Sequence, residues 1–444
     1  MNRTDRGTTR QDALRAALVA AGGAAVAACG AGGAGGAGSA PATDARPVEF
    51  EYWSVLAETH PEGKGRLEAL KLSEAANAGA VKIRYEQAAG SNMEKVIAAA
   101  SAGTPPNLLV DRPNNAAMLF DAGIGADHEA AFKGLPAWAK VKAALPPSFL
   151  EGATWRGKQV ALPLYVVNQA MVYAPDHLEK AGVRPPAATW TWNDFLEIAK
   201  RTARPPDVWA LDKAWSASQW QIWAGSNGAL MFNREKTKVT LTQPESVAAM
   251  EFLSNLTHGL GLVPPEDIGE LLVKGQSVFE PNGPYRMPIW REAGVRFEPI
   301  LPPRGPQKPT EHNWGSMYSL TVLKATDPAK QRAAALAALG ALAEDAQVAM
   351  CKLHLGLPAS KAALASPAYQ QVLAADRQMR TFADMFPSCW ILPAIPSFAQ
   401  IDTVRGELMT KVYKRQESIR TALQLAEQEG QRLLDADLAR SARG

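Results

Sequence analysis

Residues 155–195 read WRGKQVALPLYVVNQAMVYAPDHLEKAGVRPPAATWTWNDF, and the fold turns on how this stretch is taken. It opens on a polar turn, Arg156-Gly157-Lys158. Gln159–Tyr173 follows, mostly apolar and β-branched with no helical spacing, longer than a usual strand and interrupted by Pro163. Such a run reads as two buried strands end to end, with the break expected near the proline, which has no backbone donor. Asp176–Ala181 is a short helix ended by Gly182, a residue type suited to the left-handed position after a helix. Thr191 then caps a new helix, with Asp194 three residues on, an imperfect capping box. A chain that leaves one sheet and enters another through an extended segment makes a two-domain hinge. A single long strand in one large sheet is the competing reading, and the pattern alone leaves both open.

Working outward, 444 residues exceed one core, which stops growing at about 250–300 residues, so two domains are expected. The charge is nearly balanced, 47 basic against 44 acidic residues for a net +3. No basic patch stands out, which argues against a nucleic-acid partner.

Upstream of the hinge, Val48–Trp53, Val81–Glu86 and Asn107–Asp111 read as strands, separated by helices over about 64–77 and 92–102. This βαβαβ order predicts a parallel, doubly wound sheet. The loop Arg112–Asn115 lies at the carboxyl end of its third strand, where open α/β sheets bind ligands. Downstream, Trp190, Trp192, Trp209, Trp215, Trp220 and Trp223 crowd a short span. Buried packing is the ordinary use of Trp. Flat rings also stack on the apolar faces of sugars, and one or two of Trp215, Trp220 and Trp223 are expected to face a cleft. Pro328–Ala349 is an Ala-rich helix, and Ile401–Leu438 is largely helical.

The N-terminus is a targeting segment. Arg3, Arg6, Arg10 and Arg15 precede the short apolar run Ala16–Ala28, too short to span a bilayer. Val26-Ala27-Ala28-Cys29-Gly30 resembles a bacterial lipobox, with Cys29 as the lipidated residue; an ordinary signal peptide cut nearby is the alternative. Thr9-Arg10-Gln11-Asp12-Ala13-Leu14 is similar to a twin-arginine signal with Gln11 in place of the second arginine, which leaves the export route open. Gly30–Pro47, rich in Gly, Ala and Ser, reads as a flexible tether. Cys351 and Cys389 remain, an even pair in an exported chain, which suggests a disulfide; two buried thiols are the alternative.

The order W-x-G-K-x-x-A-x-P…Y…L-x-K-A-G-V-x-P-P-x-T-W-x-D-F resembles the extracellular solute-binding proteins that feed sugars to ABC importers, the relatives of maltose-binding protein. It is carried by Trp155, Gly157, Lys158, Ala161, Pro163, Tyr173, Leu178, Lys180, Ala181, Gly182, Val183, Pro185, Pro186, Thr189 or Thr191, Trp190 or Trp192, Asp194 and Phe195. Ala174 departs from the family's usual Asn, and the doubled Thr-Trp shifts the last motif by two residues. Later stretches are similar too: residues 239–253 (VTLTQPESVAAMEFL), 279–290 (FEPNGPYRMPIW) with Tyr285 where the family has Trp, and 356–364 (GLPASKAAL).

The resemblance implies a type II periplasmic-binding-protein fold, two α/β lobes joined by a multi-strand hinge with a ligand cleft between them. It implies a first lobe from residues 48–165 plus 300–345 and a second from 166–299 plus 346–444, after a signal peptide (1–28) and a lipidated tether (29–47). Crossings fall near Tyr165–Gln169, Arg296–Pro302 and Ala343–Cys351. Ligand contacts are implied at Trp53, Ser54, Asp111, Asn114, Asn168, Tyr285 and Trp314, with Trp215 and Trp220 added from the aromatic span. Asp and Asn have a physical reason to be there, since both bond sugar hydroxyls. Trp314 is a stacking platform or a cover on the sheet end. The expected partners are a sugar or polyol and the membrane permease of an importer, with the chain a monomer lipid-anchored outside the cell membrane. No cofactor is expected, and no metal-ligating His or Cys spacing occurs. An exported carbohydrate-active enzyme using a carboxylate pair drawn from Asp111, Asp127 and Glu151 is the second reading. A purely structural lipoprotein is the third.

Overall fold

The structure is a computed structural model, and it describes residues 46–54, 56–77, 79–87, 92–213, 217–310, 312–354 and 356–441. The expected signal segment, Cys29 and most of the tether, and Trp215, lie outside these residues.

Eleven of the thirteen strands among the described residues form the two main sheets: β1 (Val48–Ser54), β2 (Val81–Gln87), β3 (Leu108–Asp111), β4 (Leu162–Asn168), β5 (Ala170–Tyr173), β6 (Trp209–Leu211), β7 (Ser277–Asn282), β8 (Glu298–Ile300), β9 (Asn313–Val322), β10 (Leu357–Pro358) and β11 (Cys389–Ile391). The helices that matter for the site are α1 (Pro61–Ala76), α2 (Asn92–Ser101), α3 (Pro113–Asp121), α4 (Pro147–Gly152), α5 (Trp192–Thr202), α6 (Ala217–Ser226), α7 (Pro244–Ser254), α8 (Pro328–Gly340), α9 (Glu344–His354), α10 (Phe398–Tyr413) and α11 (Ile419–Ser441). A seven-stranded sheet has the order β10-β4-β9-β3-β1-β2, with β11 beside β9. A four-stranded sheet has the order β8-β5-β7-β6. As expected, β1 is parallel to both β2 and β3.

The hinge stretch does divide between two sheets. Every residue of β4 and β5 is buried, which is why neither strand alternates in sequence. The break, however, falls at Gln169 rather than near Pro163. The missing N–H is absorbed inside β4, where the pairing with β9 shifts register between Tyr318 and Ser319. A bulge of this kind leaves one residue unpaired and lets the strand continue. Thr191 and Asp194 form a full capping box on α5, Asp194 standing in for the usual Glu.

The second crossing lies at 301–312, because β8 pairs with β5 in the smaller sheet before β9 joins the larger one. The expected third crossing at Ala343–Cys351 is corrected. The Ala-rich segment bends by 72° between its halves, and α9 packs back on α1 in the first lobe. Gly340, the last residue of α8, lets α1 come close just before the bend: a Cβ there would lie 2.0 Å from the Ser73 hydroxyl. The chain crosses instead within residues 376–397, running past β8, adding β11 to the larger sheet, then entering α10 and α11 against α6 and α7.

The expected disulfide is corrected as well: Cys351 and Cys389 are free thiols. Cys351 is buried on α9. The Sγ of Cys389 lies against the backbone of Gly315 in β9, 2.3 Å from where a Cβ would stand. Burial pushes both thiols up, away from the reactive thiolate.

Candidate functional site

A cleft of 410 Å³ opens where the two sheets meet. The first lobe supplies His60 and Glu62 at the start of α1, Arg112 after β3, Val167 from β4, and Trp314, Ser316 and Tyr318 from β9. The second lobe supplies Tyr285, Arg286 and Ile289 from the turn and short helix after β7. Gln169, the single residue between β4 and β5, lies at the join. A cavity of this size with apolar and aromatic walls and a few polar groups has the form of a small-molecule site. A larger hollow of 800 Å³, between residues 251–259 and 412–419, is walled by the second lobe alone. Lobe movement cannot enclose a ligand there.

The hinge beneath the cleft is built from amide bonds between the crossings. Asn168 donates from Nδ2 to the Phe382 carbonyl at 2.9 Å. Asn313 donates from Nδ2 to the Met385 carbonyl at 2.7 Å. The Gln169 N–H donates to the Trp314 carbonyl at 2.8 Å. All three crossings are thereby tied to one another.

Next to these ties stands a buried ionic cluster. Arg66, 1% exposed, donates to the Tyr165 hydroxyl at 2.9 Å and pairs with Glu62 at 3.0 Å. Its guanidinium stacks over the Tyr318 ring at 4.7 Å, and Tyr165 and Tyr318 stack on each other at 4.9 Å. The Tyr165 hydroxyl also bonds the Glu62 carboxylate. Burial holds Tyr165 well above the usual phenol range, so it stays a neutral donor. Paired with Arg66 and bonded by the Tyr165 hydroxyl, Glu62 has its charge compensated at the edge of the cleft.

Tyr285 and Trp314 are the expected contacts that the structure places on the cleft wall. Tyr285 is 47% exposed, yet both lobes wall it in. This enclosure pushes its phenol up to about 12, with Tyr318 nearby as a second cause. Trp314 is half-buried, and its indole N–H has no protein partner.

The other expected contacts have different work. Asn168 is buried in the hinge as a tie to Phe382, a correction of its expected ligand role. Trp53 is buried in a small core with Met93, Val96 and Leu109 and donates to Glu51 at 3.2 Å. Ser54 accepts from the Leu56 N–H at 3.2 Å. Asp111 accepts from the Arg112 N–H at 2.7 Å, and Asn114 donates to Asn115 at 2.9 Å. Of the loop after β3, Arg112 is the side chain that lines the cleft.

Trp220 is corrected to core: it is 1% exposed, with the Arg405 guanidinium over its ring at 4.7 Å. Trp190, Trp192 and Trp223 pack with Phe195, Phe252 and Phe279 in the second lobe. The Trp-rich span is therefore mostly an aromatic core. Asp127 caps a short helix and pairs with Lys158 at 3.0 Å, and Glu151 is exposed on α4. With Asp111 at the end of β3, these acids serve three separate local structures.

The polar and aromatic cleft residues not named as contacts from sequence are His60, Glu62, Arg112, Gln169, Arg286, Ser316 and Tyr318, beside the apolar Val167 and Ile289. Gln169 carried a signal, since it lies inside the hinge run. Arg112 directly follows β3, His60 and Glu62 open α1, Arg286 ends the turn after β7, and Ser316 and Tyr318 lie within β9; in none of these places does residue type reveal direction.

The sequence profile of the bacterial extracellular solute-binding proteins matches residues 69–379. Among solved structures, the cyclic alpha-maltosyl-1,6-maltose binding protein of Arthrobacter globiformis superposes with a TM-score of 0.78 at 17% identity, covering 88% of this chain and 100% of that one. An ABC substrate-binding protein of Listeria monocytogenes, in complex with cycloalternan, gives 0.72 at 21%, covering 88% and 99%. The GacH receptor of Streptomyces glaucescens, solved unliganded and with acarbose, gives 0.72 at 16%, covering 87% and 98%. At these identities the likeness shows the fold, the type II arrangement of two α/β lobes around a cleft. The profile covers more than half of the sequence, and the chain belongs to the bacterial extracellular solute-binding protein family.

Proposed function

We propose that this chain captures a sugar or oligosaccharide outside the cell membrane and delivers it to the permease of an ABC importer. The observation that carries the reading is the cleft at the junction of the sheets, with an aromatic wall from each lobe, Trp314 and Tyr285. Rings of this kind suit the apolar faces of a saccharide. The saccharides named with the similar structures support the same class of solute. Solute touching both lobes favours the closed form by its differential affinity, and closure is the signal to the permease. In this reading the protein is a monomer held at the membrane by lipid on Cys29, with residues 30–47 as the tether. No carboxylate pair lines the cleft among the described residues, so nothing favours the hydrolase reading.

The test is a thermal-shift screen against a saccharide panel, followed by chromatography of the best ligand after long incubation. The reading expects a raised melting temperature and the sugar returned intact. Turnover of the sugar supports the enzyme instead, and no shift with any saccharide overturns sugar binding.

A further inference from the structure

Among the described residues, Arg112 leaves a positive charge without an ion-pair partner at the cleft. Among its described lining residues Glu62 is the single carboxylate, and it is already taken by buried Arg66 and the Tyr165 hydroxyl. Arg112, by contrast, is exposed and has no ion-pair partner among the described residues. It stands at the N-cap of α3, a nine-residue helix with no side-chain cap bond, so the positive end of the helix dipole adds to its charge. From the facing lobe comes Arg286, which pairs with Glu270 and keeps a buried Nε without a partner. Both arginines line the same cleft as Tyr285, and both act electrostatically on its phenol.

The remaining polar groups are mostly donors. The Trp314 indole N–H is unpartnered, and Ser316 and Tyr285 offer hydroxyls. Gln169, more than nine-tenths buried, has an unpartnered side-chain oxygen, an acceptor for a sugar hydroxyl. Among the acids beyond the lining, Glu270 is the ion-pair partner of Arg286, and Asp111 accepts from the Arg112 N–H. Burial pushes its carboxyl up, toward the neutral form. The hydroxyls of a neutral sugar can accept from a guanidinium, but they leave its charge unmatched. A carboxylate or phosphate oxygen matches it in charge and in planar geometry.

We propose that the solute of this cleft is an acidic saccharide, whose anionic group is met by Arg112 of one lobe and Arg286 of the other. This rests on the sugar-binding reading above and narrows its substrate class. Because the anion bridges the lobes, it also holds the closed form.

The test is calorimetric titration of the full chain with matched sets: glucose, glucuronate and glucose 6-phosphate; galactose and galacturonate; maltotriose and trigalacturonate. We expect the acidic member of at least one set to bind tenfold or more tighter than its neutral partner, with affinity falling as salt rises. The carboxylate and phosphate arms distinguish the two sources of charge. In Arg112→Ala the acidic preference collapses toward parity, while Arg112→Lys restores part of it. The unliganded melting temperature stays unchanged in both, since the side chain is exposed. Neutral sugars binding as tightly as their acidic partners overturn the proposal and leave sugar binding standing. An intact preference in Arg112→Ala overturns it too. If no member of any set binds, sugar binding falls and this inference falls with it.

Discussion

Replacing Trp220 and Tyr285 in parallel separates core from cleft. Trp220 is 1% exposed and lies under the buried Arg405 guanidinium. Truncating a core Trp to Ala costs about 3–5 kcal/mol, and here it also leaves a cation without its ring. With each kcal/mol worth roughly 2–4 °C in a unit of 150–250 residues, Trp220→Ala should melt about 6–20 °C lower without ligand. Tyr285 is 47% exposed, so Tyr285→Ala should cost the empty protein roughly 1 kcal/mol or less. Ligand reverses the order. At a concentration near 100 times Kd, binding stabilises the wild type by about 2.7 kcal/mol. A tenfold loss of affinity in Tyr285→Ala halves that to about 1.4 kcal/mol at the same concentration. Trp220→Ala keeps its full ligand-induced shift from its lower baseline. The assay is differential scanning fluorimetry with and without the best saccharide. Should Tyr285→Ala melt as low as Trp220→Ala when empty and keep an intact shift, Tyr285 is a packing residue and the cleft is misassigned.

Cys351 and Cys389 should both alkylate in the unfolded, unreduced chain; protection of the pair would restore the disulfide. Cys29→Ala should move the protein from the membrane fraction to the soluble exported fraction, and retention at the membrane would end the lipid-anchor reading. Acid should act through two buried histidines: His128, whose Nε2 accepts from the Val322 N–H at 3.1 Å, and His312, packed against Gly225. Burial lowers them from 6.5 to about 3 and about 4, respectively. Each folded value lies below the unfolded one, so the unfolded chain takes up protons first. Stability is full above pH 6.5 and falls as the pH drops toward those values, by roughly 2–3 kcal/mol per histidine at pH 4.5. Urea midpoints at pH 7 and pH 4.5 should therefore converge in His128→Gln relative to the wild type, and an unchanged difference would refute the assignment.

Much of the architecture was legible because it is written in local periodicity and turn chemistry. The βαβαβ run and the Thr191 capping box are short-range patterns, and each lies where the spacing put it; the apolar run does pass between two sheets, though it breaks at Gln169. Pro163 misled because proline shows where a donor is missing, while the partner strand decides whether that absence breaks the strand or bulges it. The third crossing misled for a related reason: an Ala-rich helix looks the same whether it crosses or folds back, and Gly340 permits the fold only because α1 is there to receive it. Site direction was least legible. Trp220 and Trp314 are the same residue type, one under Arg405 in the core and one on the cleft wall. Cys351 and Cys389 form an even pair, but pairing is set by geometry, which sequence spacing does not fix.

The hinge links the fold to the site more tightly than a flexible joint would. Gln169 is the single residue between β4 and β5, so rotation of the second lobe on this crossing must be taken up by its dihedrals or those beside it. Yet its N–H holds the Trp314 carbonyl at 2.8 Å, and its side chain lines the same cleft as the Trp314 ring. Turning Gln169 therefore pulls on the strand that carries one aromatic wall. On the opposite side, Gly283 precedes the Tyr285 turn and lies so close to the hinge that a Cβ there would come within 3.1 Å of the Asn168 carbonyl. Both aromatic walls are thus joined by backbone to the pivot. Lobe rotation and the spacing of the two rings change together, which is how a solute that fits between the rings can set the lobe angle.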